Sequence, residues 1–218
     1  MGNERSIEFA GGTLGRERHI CALFNSVDEE HRVLRSFIKE GFARGEKAFH
    51  IVDPRLREEH LKRLVAAGVD VEDAMGSGQL QVRVWQECQF RGDRFDQDAM
   101  LALIEEVLQS GAGAGFRLTR FLGHMEWALL DHPGLDELSF VEFETRVNYL
   151  SPKYEDPLIC AYDLSKFSAR LMLDVIRTHP VVLIGGMLQQ NPFFVSPDQL
   201  LLELRERGTA RRTTPVAH

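Results

Sequence analysis

Short apolar runs alternate along this chain with longer stretches whose apolar residues recur at helical spacing. His19 to Phe24, Ala48 to Val52, Leu80 to Val84, Phe116 to Leu122, Leu158 to Tyr162 and Val181 to Ile184 read as strands. Between them, Val33, Leu34, Phe37, Ile38 and Phe42 form one helical stripe, Met100 to Leu108 a second, and Phe140, Phe143, Val147 and Leu150 a third. Strand–helix alternation of this kind implies an α/β fold: a mostly parallel sheet with helices on both faces. The punctuation agrees. Ser26 with Glu29 and Ser139 with Glu142 have capping-box spacing. Asp53 before Pro54, Asp96 and Ser165 are expected N-caps, and Gly45 and Gly68 expected stops. Gly185-Gly186 predicts a hairpin joining Val181–Ile184 to Met187–Gln190. No repeat or linker divides the chain. The expected organisation is a loose lead-in over residues 1–18, one domain over 19–207 and a loose tail over 208–218.

A chain of 218 residues suits one α/β domain. At that size about 70% of the unfolded surface is buried, so no disulfide or metal is needed for stability. Cys21, Cys88 and Cys160 are odd in number and far apart, unlike a disulfide framework. Cys21 and Cys160 sit in apolar runs and read as small buried hydrophobes in a reducing, cytoplasmic setting. The net charge of −7 argues against nucleic acid or an anionic membrane as partner. No run approaches the ~18 apolar residues of a membrane span.

The strong chemical motifs are absent. The first strand leads into a capped helix, where nucleotide-binding folds carry a phosphate loop. Here the turn is Asn25-Ser-Val-Asp28, with no GxxxxGK[ST], no phosphate-reaching Lys, and Asp28, Glu29 and Glu30 to repel anions. There is no GxSxG, HExxH or CxxC. Neither a cofactor nor a stoichiometric metal is expected. His19, His50 and His124 lie on or beside strands, so only the fold decides whether they converge.

The stretch richest in unusual residues is Gly115 to Leu130, GFRLTRFLGHMEWALL. It places His124, Glu126 and Trp127 where a buried strand emerges, and ligand crevices form at strand carboxyl ends. Arg120 inside the strand needs a mate, and Glu126 is the expected one. Two readings stand here: an internal ion pair fixing a turn with Trp127 as core, or a ligand site. In a parallel sheet, Asn25, Asp53, Trp85, His124, Glu126, Trp127 and Asp163 share the carboxyl-end rim. Together with Arg120 they are the candidate ligand-binding residues. Asp53 as an N-cap and Asp163 as a turn residue have sufficient structural roles of their own. A third possibility is an enzyme using His124 and Glu126 as an acid–base pair.

HICALF, RFLGHMEWAL, ICAYDLSKF and THPVVLIGGMLQQNPFF, in that order from His19 to about Arg205, resemble the MEDS family. This is the sensory domain of dichloromethane-responsive regulators and of methanogen and methylotroph kinases. The resemblance implies a RecA-like core without a phosphate loop, and binding of small hydrocarbon derivatives without catalysis. The family is often fused to a kinase or DNA-binding output domain; none is read in this sequence, so the expected signalling partner, a kinase or transcription regulator, is a separate protein. A degenerate nucleotide-binding module is the alternative, and a homo-oligomer is compatible with the same helix stripes. The family's central motif has Arg, Gly-Glu-Met and Trp. Arg120, Gly123, Met125 and Trp127 match it, whereas His124 stands for the acidic residue and Glu126 carries a carboxylate two positions later.

Overall fold

The computed structural model describes residues 7–88 and 94–213, with side chains to residue 210. Most of the polar loop expected at 86–94 lies outside the described residues. The strands are β1 (Ile7–Phe9), β2 (Gly12–Leu14), β3 (His19–Phe24), β4 (Lys47–Val52), β5 (Leu80–Val84), β6 (Thr119–His124), β7 (Leu158–Asp163), β8 (Val181–Ile184) and β9 (Met187–Gln190). The helices are α1 (Val27–Ala43), α2 (Arg57–Ala66), α3 (Val71–Gly76), α4 (Trp85–Cys88), α5 (Gln97–Gly113), α6 (Glu137–Leu150), α7 (Ala169–Arg177) and α8 (Pro197–Thr213).

Seven strands form one sheet in the order β5-β4-β6-β7-β3-β8-β9. All neighbours are parallel except β8 and β9. Every residue of β3, β4 and β6 is buried, as continuous apolar runs predict for strands covered on both faces. The α/β expectation is met. Side chains alternate between the faces. Cys21, Leu23, Phe49, Ile51 and Phe121 pack with Leu103, Val107, Phe140, Phe143 and Val175 from α5, α6 and α7. Ile20, Ala22, Phe24, Ala48, Val52 and Leu122 pack on the other side with Leu34, Phe37, Leu64 and Ala74 from α1, α2 and α3. The β8–β9 turn is the expected hairpin. Gly185 and Gly186 both have positive φ (58° and 77°), which the two-residue turn requires and glycine adopts without strain.

Several local expectations are corrected. Where a loose lead-in was expected, β1 and β2 pair antiparallel, and Ile7, Phe9 and Leu14 are buried against the sheet's α1 side. Helix α8 continues to Thr213, past the expected boundary at 208. Asp53 does not cap α2. That helix begins at Arg57, after a turn closed by the Leu56 N–H donating to the Asp53 carbonyl at 2.9 Å. Ser26 and Asp96 cap as expected. The capping box before α6 is Asp136 with Ser139, and Ser168 rather than Ser165 caps α7.

Candidate functional site

Strand alternation divides the Gly115–Leu130 stretch between the two faces of the sheet. Arg120 and His124 point toward α1 and α2, while Phe121 and Gly123 point toward α5 and α6. Arg120 does not pair with Glu126. Its Nε donates to Glu46 Oε2 at 2.6 Å, its Nη1 donates to the Phe37 carbonyl, and Glu40 lies 3.5 Å from Nη2. The guanidinium also lies over the Phe37 ring. Gly41 makes room for it: a Cβ there would stand 2.7 Å from Arg120 Cδ. Arg120 is thus a buried structural ion pair remote from the rim.

The remaining rim candidates separate further. Lys166 bridges Glu126 Oε1 and Asp163 Oδ2, each at 3.2 Å; burial raises the Asp53 carboxyl, but the Arg55 contacts, with a smaller part from Lys166, outweigh it and hold it below its usual range. Asp53 also holds Arg55, and Asn25 donates from its backbone N–H and its amide to Glu29. Trp85 is buried, its Nε1 donating to the His124 carbonyl at 3.2 Å. His124 does not pair with Glu126 as an acid–base couple. Its Nε2 lies 2.8 Å from Glu30 Oε1 under α1. Burial pulls the His124 pKa down, yet the Glu30 carboxylate outweighs this and the net shift is upward. His50 and His60 join on that side, His50 Nδ1 lying 2.9 Å from His60 Nε2. Burial and the neighbouring His124 push His50 down to about 3.

Trp127 borders a cavity. It follows β6 on a single 3₁₀ turn, is fully buried, and packs its ring against Phe95, Phe140 and Phe143. A narrow apolar cavity of about 30 Å³ lies between β6, β7, α5 and α6. Trp127, Met125, Gly123, Met100 and Ile104 line it, with Glu144 and Cys160 on the wall toward β7.

Behind that wall is a second cluster, assembled from distant parts of the chain. His19 opens β3, Cys160 lies within β7, Glu144 projects from α6, and His179 precedes β8. Glu144 Oε2 lies 3.4 Å from His19 Nε2 and 3.0 Å from His179 Nε2, while Cys160 Sγ lies 3.5 Å from His19 Nε2. The thiol contact is a hydrogen bond, but the two to Glu144 are ion-pair distances without hydrogen-bonding alignment: neither Glu144 oxygen, nor His179 Nε2, nor the Tyr162 hydroxyl has a well-aligned partner. Burial raises the Glu144 carboxyl, but the two imidazoles outweigh it and hold it down at about 2. Burial and His179 lower His19, and burial pushes the Cys160 thiol well up.

Sequence reasoning singled out none of Glu30, His60, Glu144, Lys166 and His179 as site residues. A signal existed for Glu144. It falls inside the apolar stripe of α6, one turn after Phe140 and one turn before Val147, where a charge demands a buried partner. His19 and Cys160 were visible individually, but their contact depends on β3 and β7 being neighbours.

Comparison with known proteins supports the same fold and adds a family. A KaiC-like protein of the hyperthermophilic archaeon Pyrococcus horikoshii is similar in structure, with a TM-score of 0.56 and 14% identity over 82% of this chain and 79% of that one. This shows the fold, a RecA-like α/β core. The transcriptional repressor DcmR of Methylorubrum extorquens is 26% identical over 177 residues, 81% of this chain. The match spans 63% of the repressor's length. The family model for the methanogen/methylotroph, DcmR sensory domain matches residues 18–180, most of the chain, and this protein belongs to the MEDS family.

Proposed function

We propose that the chain is a sensory module binding a small, weakly polar organic molecule in the cavity beside Trp127. One observation carries this reading: an apolar cavity bounded by the turn that leads to the ion cluster at the strand ends. About 30 Å³ exceeds the roughly 10–15 Å³ that one water needs, but is too tight for a larger guest without movement. That tightness suits a sensor. A guest that fits without displacement has equal affinity for both states and shifts nothing. Met100 and Met125 supply adaptable walls. Glu126 directly precedes Trp127, so displacement of that wall reaches the surface bridge in which Lys166 joins Glu126 to Asp163. The family's sensory role and its repressor relative support a regulatory partner that reads this rim. The β3–α1 turn does not favour a nucleotide. Glu29 already accepts the Asn25 N–H, and acidic residues crowd the first turn of α1.

Gly123→Ala tests the reading with little structural cost. Its added Cβ would meet Met125 Sδ at 3.5 Å and Phe121 Cε1 at 3.8 Å, ordinary contacts within the cavity lining. In a thermal-shift panel of short haloalkanes, alcohols and magnesium–ATP, the parent protein should be stabilised by at least one organic compound. Saturation at 100 times the dissociation constant gives about 2.7 kcal/mol. Gly123→Ala should lose that response. Stabilisation by magnesium–ATP alone, or an organic response unchanged in Gly123→Ala, would refute the cavity as the site.

A further inference from the structure

We propose that His19, Glu144, Cys160 and His179 form a buried tetrahedral site for a divalent transition-metal ion, zinc being the best match. The inference goes beyond the organic-ligand reading and stands on its own geometry. One potential ligand atom from each residue lies within 4.8 Å of all the others. In a zinc site with bonds of about 2.0–2.3 Å, tetrahedral ligand atoms stand roughly 3.3–3.7 Å apart. Three of the pairs here lie at 3.0, 3.4 and 3.5 Å. Small side-chain adjustments therefore close the shell.

The surrounding hydrogen bonds fix both imidazoles in the ligating tautomer. The Asn148 amide donates to the carbonyls of Thr178 at 2.6 Å and Thr145 at 3.1 Å. Its oxygen must therefore face His19 Nδ1, 3.2 Å away, and Nδ1 must carry the proton. His179 Nδ1 lies 3.0 Å from the Val175 carbonyl, an acceptor only, and 2.7 Å from the Thr178 hydroxyl, which itself donates to that carbonyl at 2.8 Å; with the hydroxyl proton directed there, Nδ1 is the protonated nitrogen. With Nδ1 protonated, each ring turns Nε2, the atom a metal would take, toward the carboxylate. Metal-bound histidines are typically oriented in this way, by a carbonyl or amide oxygen behind the ring. Lone pairs converging in a dry interior repel unless a cation or extra protons lie between them. The atoms without well-aligned partners, both Glu144 oxygens and His179 Nε2, are members of this set. On metal binding the Cys160 thiol releases its proton to solvent. The thiolate and carboxylate then neutralise the divalent cation, which leaves a buried site without net charge. A set of two nitrogens, one sulfur and one oxygen suits zinc better than magnesium or calcium, which take oxygen ligands.

The test uses the full chain purified without a polyhistidine tag, freed of metal by chelator dialysis and titrated with Co²⁺ and Zn²⁺. One equivalent of either should bind. The cobalt form should show thiolate-to-metal charge transfer and the strong visible absorption of a four-coordinate centre. Zinc should raise the melting temperature. Cys160→Ser should abolish the charge-transfer band, whereas His132→Gln, in the turn before α6, should retain it. Asn148→Ala, which removes the support behind His19 together with the amide bonds to the Thr178 and Thr145 carbonyls, should weaken metal affinity about 10–100-fold. No binding at one equivalent, a cobalt spectrum lacking thiolate charge transfer, or affinity unchanged in both Cys160→Ser and Asn148→Ala would overturn the site. Should the variants fail to fold, the spectrum of the parent protein decides alone.

Discussion

Among single residues, Trp127 and Gly123 divide structure from sensing between them. Trp127 is fully buried among three aromatic rings, so Trp127→Ala should behave as a core truncation, costing about 3–5 kcal/mol in denaturant unfolding. A small loss would mean that its ring is not packed as described. Gly123→Ala should do the opposite, gaining about 0.4–1 kcal/mol by reducing the freedom of the unfolded chain. A destabilisation of 1 kcal/mol or more would show that the lining cannot accept a methyl. Arg120 belongs with the structural residues. Arg120→Ala should cost roughly 3–5 kcal/mol, because Glu46 is left buried without its partner. Arg120→Ala with Glu46→Gln should recover part of that loss, since the second change removes the stranded carboxyl. A double variant no more stable than Arg120→Ala would argue against the pair.

At the scale of elements, the strand–helix order was legible because each run carries its own period. Neighbours across the sheet were not. β3 lies between β7 and β8, more than 130 residues later, and no local pattern encodes that choice. The site was therefore legible only in pieces. His19, His50 and His124 could be flagged as strand histidines, yet which of them meet depends on the face and on strand order. Arg120 sits near the start of β6 and Glu126 beyond its end on the 3₁₀ turn, so the expected pairing of Arg120 with Glu126 does not form, and Glu46 and Lys166 are their partners instead. The N-terminal hairpin was missed for a different reason: β1 and β2 are too short to show a period among polar residues. Its apolar contacts nevertheless matter. Phe9 stacks on Phe37 at 4.8 Å between centroids, and Ile7 is fully buried. Phe9→Ala should cost about 3–5 kcal/mol, as for other buried aromatics. A loss below 1 kcal/mol would restore the view of this segment as a loose lead-in.

For the whole molecule, the buried histidines under α1 and α2 make stability depend on pH in a defined direction. His50 titrates near 3 when folded and near 6.5 when unfolded, and His60 is lowered as well, first by burial and then by His50. Below 6.5 the unfolded chain takes up protons that the folded chain refuses, so stability falls as the pH drops toward 3. Each pH unit within that window costs about 1.4 kcal/mol per fully buried group, which gives about 2 kcal/mol from His50 alone by pH 5. His124 has the opposite sign. Its folded pKa is raised, so its stabilising contribution is complete below 6.5 and is lost as the pH rises through the folded value. It therefore cannot offset the acid loss. Glu30 is lowered despite its burial, and its contribution disappears only below about 4.5, outside the window from 6.5 to 5. His19 is lowered and adds to the His50 trend. Urea unfolding at several pH values between 5 and 6.5 should show stability decreasing on acidification. His50→Gln should make that slope shallower, and His50→Gln with His60→Gln shallower again, leaving mainly the parts from His19 and from His31, which burial also lowers. A flat profile in the parent protein, or an equal slope in both variants, would mean that these rings are protonated in the folded state and that the polar layer beneath α1 carries positive charge.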